Sequence, residues 1–330
     1  MPTACAIVVA YDSGDALTRC LDSLAGVDTV VVNNGGHGPE IAAAEQRARV
    51  VQSPNAGFGA GCNRGARETD AEVLVFLNPD TIARPGAVAA LAHRLEDGSI
   101  AIVQPRLRLL AEPELLNSSG NVLHLSGLAW PGGYGGPADE VDEVRDVPYA
   151  SGAAFAIRAE LFRELGGFTE ELFLYQEDLE LCWRARLRGL RIVVDPAADV
   201  LHDYVLERGD RRKEYYLERN RLIFVATAFS ARLLLLLAPV LLAVELGVAL
   251  LALRQGWLGE KVRGWAWLAR HRAWLGRRRR AVQGSRRVPD RELARFLTPV
   301  LDPRMVQLPP GVAVVNGAVS AWWRGVRVFL

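Results

Sequence analysis

The chain has 330 residues, half of them hydrophobic and 23% charged, with no low-complexity tract; this excludes a mini-protein, a disordered chain and a fibrous repeat, and leaves room for a large domain plus an appendage. The formal net charge of +1 is a cancellation, because 16 basic against 29 acidic residues through Asp203 leave −13, and 23 against 9 beyond it give +14. An acidic first part and a basic second part imply two different kinds of partner.

Short apolar runs rich in β-formers open the chain at Ala4–Ala10, 29–32, Arg49–Gln52, 72–77 and 100–103. Between them, residues 15–24 (Ala16, Leu17, Leu21, Leu24) and 85–95 (Val88, Leu91, Leu95) have helical apolar spacing. The alternation predicts an α/β domain with a mostly parallel sheet. Ligands of such sheets sit beyond the carboxyl ends of the strands, which singles out Tyr11-Asp12, Asn33-Asn34, Asn55 and Asn78-Pro79-Asp80. The N-terminus has no basic n-region and reads as a first strand, so this part is expected to stay in the cytoplasm. Cys5, Cys20, Cys62 and Cys182 are spaced neither as a zinc site nor as a disulfide scaffold, and free thiols are expected.

Residues 106–148 lose the alternation. PGGYGGP at 131–137 followed by DEVDEVRD at 139–146 predicts a mobile surface loop, either an acceptor-binding segment or a plain insertion. Order returns with SGAAFAIR at 151–158 and with YQEDLELCWRARLRG at 175–189. The latter puts Leu179, Cys182, Trp183, Arg186 and Leu187 at helical spacing and ends on a glycine cap.

From residue 222 the composition changes. The stretch 233–253 is 21 residues long with one charge, Glu245, and one proline, Pro239, long enough to cross a bilayer. The mid-run charge, a helix break at Pro239 and basic flanks on both sides (Arg208, Arg211, Arg212 and Lys213 before; 277–280 after) favour helices lying in the cytoplasmic leaflet. Arginines would meet anionic headgroups there, with Trp257, Trp265, Trp267 and Trp274 at the interface. A buried helical pair is the alternative. Basic runs also attract nucleic-acid phosphates, but the adjacent apolar run assigns them to lipid, and no nucleic-acid partner is expected.

Three groups carry candidate chemistry. Asp80 follows the apolar run VLVFL and could hold Mg²⁺ or Mn²⁺, hard cations that take oxygen ligands, although an Asn-Pro-Asp turn by itself is more often a helix N-cap. In the adjacent pair Glu177-Asp178 one carboxylate could act as general base while the other orients a loop; acids at a helix start also simply answer the helix dipole. His202, ending a strand in VLHDY, could complete a metal site with Asp80.

Taken in order, VVAYDSGDALTRCLDSL, VVVNNGG, NAGFGAGCNRGA, VLVFLNPDT, SGAAFAIRAELFRELGGFTEELFLYQEDLELCWRARLRG, VLHDY and YYLERNRL resemble the family 2 glycosyltransferases, and among them the bacterial rhamnosyltransferase-like branch that builds cell-surface polysaccharide. The resemblance runs from residue 4 to about residue 230. It implies a GT-A fold, a Rossmann-like nucleotide-binding sheet joined to a mixed acceptor-side sheet, over residues 1–221; the composition beyond makes residues 222–330 a helical membrane-associating region. It implies inverting transfer of a sugar, rhamnose in that branch, from a nucleoside diphosphate donor, dTDP- or UDP-linked, with a divalent metal as cofactor. The acceptor would be a polyprenyl-linked glycan at the cytoplasmic face of the inner membrane. Carried over by position, Tyr11 and Asn33 fall at the nucleobase and ribose, Asn55 and Gly57 begin the next donor motif, and Asn78 with Asp80 stands at the DxD-like metal motif. Ser151, Gly152 and Ala153 fall at the acceptor, with Trp183 joined to them. Asp178 matches the general base, Glu177 its support and His202 the metal-side histidine. The sequence departs from the family pattern at Asn33, often an acid, and at Asn78, which leaves one metal carboxylate fewer. The alternative is a catalytically silent, membrane-bound sugar-nucleotide or scaffold protein of the same fold.

Overall fold

The structure is a computed structural model and describes residues 2–204, 210–302 and 312–330; Arg208 lies outside them. In chain order the elements are β1 (Ala4–Ala10), α1 (Gly14–Ser23), β2 (Asp28–Asn33), α2 (Pro39–Ala44), β3 (Arg49–Gln52), α3 (Phe58–Ala66), β4 (Val73–Leu77), β5 (Thr81–Ala83), α4 (Ala87–Arg94), β6 (Ile100–Leu109), β7 (Leu116–Ser118), β8 (Asn121–His124), β9 (Ala129–Pro131), β10 (Arg145–Asp146), β11 (Ala154–Arg158), α5 (Ala159–Leu165), α6 (Glu177–Leu187) and β12 (Arg191–His202). There follow α7 (Arg211–Ala228), α8 (Ala231–Gln255), α9 (Leu258–Arg270), α10 (Arg272–Gly284), α11 (Asp290–Leu293), β13 (Leu297–Thr298) and α12 (Val312–Val328). They divide into two compact units, Met1–Asn121 with Pro131–Ala185 and Leu190–Leu206, and Val122–Trp130 with Arg186–Gly189 and Glu207–Leu330.

The first unit is built on a sheet ordered β10-β12-β6-β11-β4-β1-β2-β3, with β5 on β12 and β7 on β6. Strands β1 to β4 are parallel where they pair, and β11 runs antiparallel between β4 and β6. β1 and β4 are buried along almost their whole length, as central strands covered on both faces must be, which explains their unbroken apolar runs. Leu17, Cys20 and Leu21 of α1 and Leu91 of α4 pack into the same core.

Register positions the site. Ala10 lies opposite Asn33 and Val8 opposite Leu77, so the residues after β1, β2 and β4 gather at one edge. Because β11 is antiparallel, with Ala154 opposite Leu77, the residues before it meet those after β4. His202 lies opposite Thr81, which brings the end of β12 to the Asn78-Pro79-Asp80 turn.

Residues 106–148 are ordered strands rather than the expected mobile loop. Arg106 through Leu109 extend β6, and the glycine-rich segment turns back on β7: Leu116 N–H donates to Gly136 O at 2.8 Å and Gly135 N–H to Leu116 O at 2.9 Å. Gly133 and Gly135, at φ 70° and 71°, supply the left-handed turn. Arg106 binds Asp199 and the carbonyl of Val141, fixing the acidic stretch. Such strands, two to four residues long and tied by turns and buried polar groups, have no period-two signature.

In the second unit α7 packs on α9 and α10, and α8 on α9 and α12. Arg279 and Gln283 of α10 bind the last carbonyls of α7, so this part of the arginine cluster is structural. α8 continues through Pro239 instead of breaking there. The missing proline N–H leaves only the Leu235 carbonyl without its helical donor, on the helix's open side. Glu245 is paired: Arg221 and Lys261 both bind it, Lys261 at 2.9 Å, and Trp265 Nε1 donates to it at 2.6 Å. Glu218 completes the group, bound by Arg221 at 2.8 Å and by Lys261 at 2.6 Å. Trp257 is buried, so of the four tryptophans assigned to an interface it belongs to the packing.

Candidate active site

Asp178 sits in the first turn of α6 and its two oxygens are each held by a backbone donor, Oδ2 by Gly152 N–H at 2.8 Å and Oδ1 by Leu179 N–H at 2.7 Å. Burial pushes its carboxyl above the usual range, against the pull of those donors. Gly152 belongs to the turn Ser151-Gly152-Ala153, whose Ala153 carbonyl accepts Asn78 N–H at 2.9 Å. The turn is fastened from below by Gln104, fully buried, whose Oε1 accepts Ser151 N–H at 2.7 Å.

Glu177 points elsewhere. Its Cβ lies 3.8 Å from where a Cβ on Gly59 of α3 would stand, and its charge is felt by the Cys62 thiol. Burial first, then the Asp178 charge, push the Glu177 carboxyl up, and its Oε2 is buried without a hydrogen-bond partner. The acidic pair therefore diverges, one member to the β11 turn and the other to α3.

Asp80 and His202 come together as the β5–β12 register requires, Asp80 Oδ1 lying 3.3 Å from His202 Nε2. His202 is held from behind, its Nδ1 3.0 Å from Asn117 Oδ1. Asp80 Oδ1 is buried and makes no hydrogen bond. An orphaned carboxylate oxygen facing an imidazole nitrogen is a donor set that fits a divalent cation. Among the described residues no group of three acidic, histidine or cysteine side chains converges on one point, so a cation held here would take no more than two such ligands from them.

On the opposite side of the β4 edge, Tyr11 is 54% exposed, beside Gly35. Asn33 is buried and committed to its own turn: Nδ2 donates to Gly36 O at 2.8 Å and to Gln52 Oε1 at 2.7 Å, and Oδ1 accepts Gly36 N–H at 2.8 Å. Asn34 Nδ2 donates to Asn55 Oδ1 and Gly57 O, each at 3.2 Å, while its own Oδ1 is buried without a partner. Asn55 Oδ1 also accepts Gly57 N–H at 3.1 Å. Trp183, expected among the acceptor contacts, is 1% exposed and packs in the core, because α6 is buried on every face from Leu179 to Leu187.

Gln104 and Asn117 were not singled out in the sequence, and Asn34 only as the neighbour of Asn33, without a role of its own. Gln104 had a signal, a polar residue ending the apolar run IAIV; Asn117 lies in a polar segment where one asparagine looks like the next.

The mixed sheet with its ligand edge at β1, β2 and β4 is a GT-A fold. It superposes on GalNAc-T7, solved with UDP, GalNAc and Mn²⁺, with a TM-score of 0.57 at 18% identity, over 69% of this chain and 48% of that one. Residues 5–166 match the family model Glycosyl transferase family 2 and form a domain of that family. The chain is 29% identical over 217 residues to the pre-mycofactocin glycosyltransferase of Mycobacterium tuberculosis, covering 64% of this chain and 45% of that protein. It is 29% identical over 235 residues to that organism's N-acetylglucosaminyl-diphospho-decaprenol L-rhamnosyltransferase, covering 59% of this chain and 74% of that protein. The chain thus spans under half the length of the first relative.

Proposed function

We propose that the protein is an inverting glycosyltransferase that moves a sugar, with rhamnose the leading candidate, from a dTDP- or UDP-linked donor to a polyprenyl-linked glycan at the cytoplasmic face of the inner membrane. The observation that carries this reading is the turn Ser151-Gly152-Ala153. One N–H of it holds the Asp178 carboxylate and one carbonyl holds the start of the Asn78-Pro79-Asp80 turn, so a base and a metal-binding carboxylate share one rigid support.

In the reaction Asp178 takes the proton of the acceptor hydroxyl as that oxygen bonds to the anomeric carbon and the bond to the diphosphate oxygen breaks, releasing the nucleoside diphosphate. Burial raises the basicity of Asp178, which suits it to that proton. A divalent cation, Mg²⁺ or Mn²⁺, held by Asp80 and His202 would supply positive charge for the departing diphosphate. The exposed Tyr11 ring is available to stack on a nucleobase. Asn33 acts through the shape of its turn, since its amide is already bound there, and Asn55 with Gly57 lines the donor side. The relative acting on a decaprenyl diphosphate-linked sugar supports both rhamnose and a lipid-linked acceptor.

The second unit supplies the reach to such an acceptor. α8 is long and apolar enough to cross a membrane, but its exposed Leu235, Leu242, Leu246, Leu250 and Leu253 share one face while Glu245 turns to Arg221 and Lys261. That division suits a helix lying in one leaflet, its leucine face in the acyl region and basic residues at the headgroups.

The test is transfer by Asp178→Asn beside donor binding by thermal shift against dTDP-, UDP- and GDP-sugars. Transfer should fall about 10²–10⁴-fold with the donor shift intact; near wild-type transfer by this variant would overturn the reading.

A further inference from the structure

The helix that carries Asp178 starts from a backbone few residues adopt. Phe173, at φ 64° and ψ −60°, is the centre of a γ-turn closed by Leu174 N–H to Leu172 O at 2.8 Å. Tyr175 and Gln176 follow at φ 68° and 64°. Three side-chain-bearing residues in the left-handed region within four positions do not hold themselves there; surrounding structure must impose it.

The donor side holds it from one end. The Phe173 carbonyl accepts Phe58 N–H at 2.8 Å, capping the first turn of α3. Gly57, at φ 99°, approaches so closely that a Cβ on it would overlap the Phe173 backbone. Gly57 is itself fixed by Asn55 and Asn34. At the other end of the turn, Gln176 O accepts Glu180 N–H at 3.0 Å and opens α6, with Asp178 in its first turn. Just past that end, the Glu177 Cβ lies against α3, 3.8 Å from where a Cβ on Gly59 would stand.

We propose that residues 173–176 form a strap that sets the position of Asp178 relative to the donor-side loop Asn55–Gly57, making Phe173 and Gly57 positioning residues for the transfer step. The proposal rests on Asp178 being the base. Its physical basis is that a base must lie within hydrogen-bond reach of the hydroxyl it deprotonates, and that an ångström of misplacement is enough to lose most of the rate. The strap is the covalent path from the donor loop's contact at Phe173 to that base.

The test compares Phe173→Gly, Phe173→Val, Gly57→Ala and Asp178→Asn, with UDP-N-acetylglucosamine, UDP-glucose and dTDP-rhamnose as donors and farnesyl diphosphate-linked N-acetylglucosamine as acceptor. Glycine keeps the left-handed turn at no steric cost, whereas a β-branched residue cannot adopt it. Phe173→Val and Gly57→Ala should lower kcat about a hundredfold, Phe173→Val with donor KM changed less than about threefold, while Phe173→Gly should stay within about threefold of wild type. A merely structural role would separate glycine from valine in melting temperature but would not lower kcat with donor KM held. If thermal melting shows Phe173→Val unfolded, Phe173→Ala replaces it in the comparison. Wild-type kcat in the valine or alanine variant beside an inactive Asp178→Asn overturns the strap alone, as does Phe173→Gly falling as far as Phe173→Val. An active Asp178→Asn overturns the base reading beneath it.

Discussion

Asp80 Oδ1 and His202 Nε2 face each other at 3.3 Å without a hydrogen bond between them. The reason lies behind the imidazole. Asn117 Oδ1, 3.0 Å from Nδ1, can only accept, so the ring proton sits on Nδ1 and Nε2 turns a lone pair toward a carboxylate oxygen. Two acceptors so close repel each other, and a cation between them would relieve that repulsion.

Metal binding should therefore depend on Asn117 as well as on the two ligands. Asp80→Ala should abolish Mn²⁺ binding measured by electron paramagnetic resonance in the presence of UDP, and Asn117→Ala should weaken it about 10–100-fold by freeing the tautomer. Equal Mn²⁺ affinity in wild type and Asn117→Ala would remove the orienting role; binding retained in Asp80→Ala would remove the site.

Glu177 should make the stability depend on pH. Burial and the Asp178 charge raise its carboxyl to about 8 in the folded state, well above its unfolded value. A group that holds its proton more tightly when folded stabilises below the unfolded value, and that stability is lost as pH rises through the folded one. Wild type should thus melt lower at about pH 9 than at about pH 5, by about 5–10 °C, and Glu177→Gln, which never ionises, should lose most of this slope. A wild-type slope preserved in Glu177→Gln would assign it to other groups.

The parts of this site legible in the sequence are those that interrupt an apolar run: Asp80 after VLVFL, Asn33 after VVV, and Glu177-Asp178 ahead of a helix. The gathering of Asn33 and Asp80 followed from the parallel strands, but the meeting of Asp178 with the Asn78-Pro79-Asp80 turn was not legible, because it depends on β11 running antiparallel beside β4, and nothing local distinguishes that from a parallel neighbour. Trp183 was misplaced for a related reason. α6 buries Glu180, Arg184 and Arg186 along with its apolar residues, so no polar face marks which side meets solvent. Pro239 read as a break because a proline's effect depends on where its lost hydrogen bond falls, and here it falls on the open side of α8.

Trp183→Ala accordingly tests packing. Removing a fully buried indole should destabilise the protein by about 3–5 kcal/mol in denaturant unfolding. Acceptor KM should be unchanged under conditions where the variant is folded; a selective rise in acceptor KM without lost stability would return Trp183 to the acceptor.

The four charges Glu218, Arg221, Glu245 and Lys261 stand or fall together. Burial alone would raise Glu218, but Arg221 and Lys261 override it and hold the carboxyl down at about 2. Lys261 is one of two lysines in a chain of 39 basic residues, and its compact ammonium bridges both carboxylates. Lys261→Met should cost about 3–5 kcal/mol by leaving buried carboxylates short of a partner. Glu245→Gln in that background should recover part of the loss, since it removes one uncompensated charge; strictly additive losses would mean that the two residues act independently.

Membrane attachment should separate from this internal lock. Leu242 and Leu246 are exposed, neighbours on one face of α8, so Leu242→Asp with Leu246→Asp adds charge to that face without opening the core. Each aspartate carried into the acyl region is opposed by about 2.5–3.5 kcal/mol. The double variant should keep the wild-type melting temperature yet lose at least about tenfold in flotation with vesicles of phosphatidylglycerol and phosphatidylethanolamine. High salt should weaken wild-type binding, through the arginines, without abolishing it. Complete release by salt, with the double variant binding as well as wild type, would mean that headgroup charge alone holds the protein and that the leucine face serves some other contact.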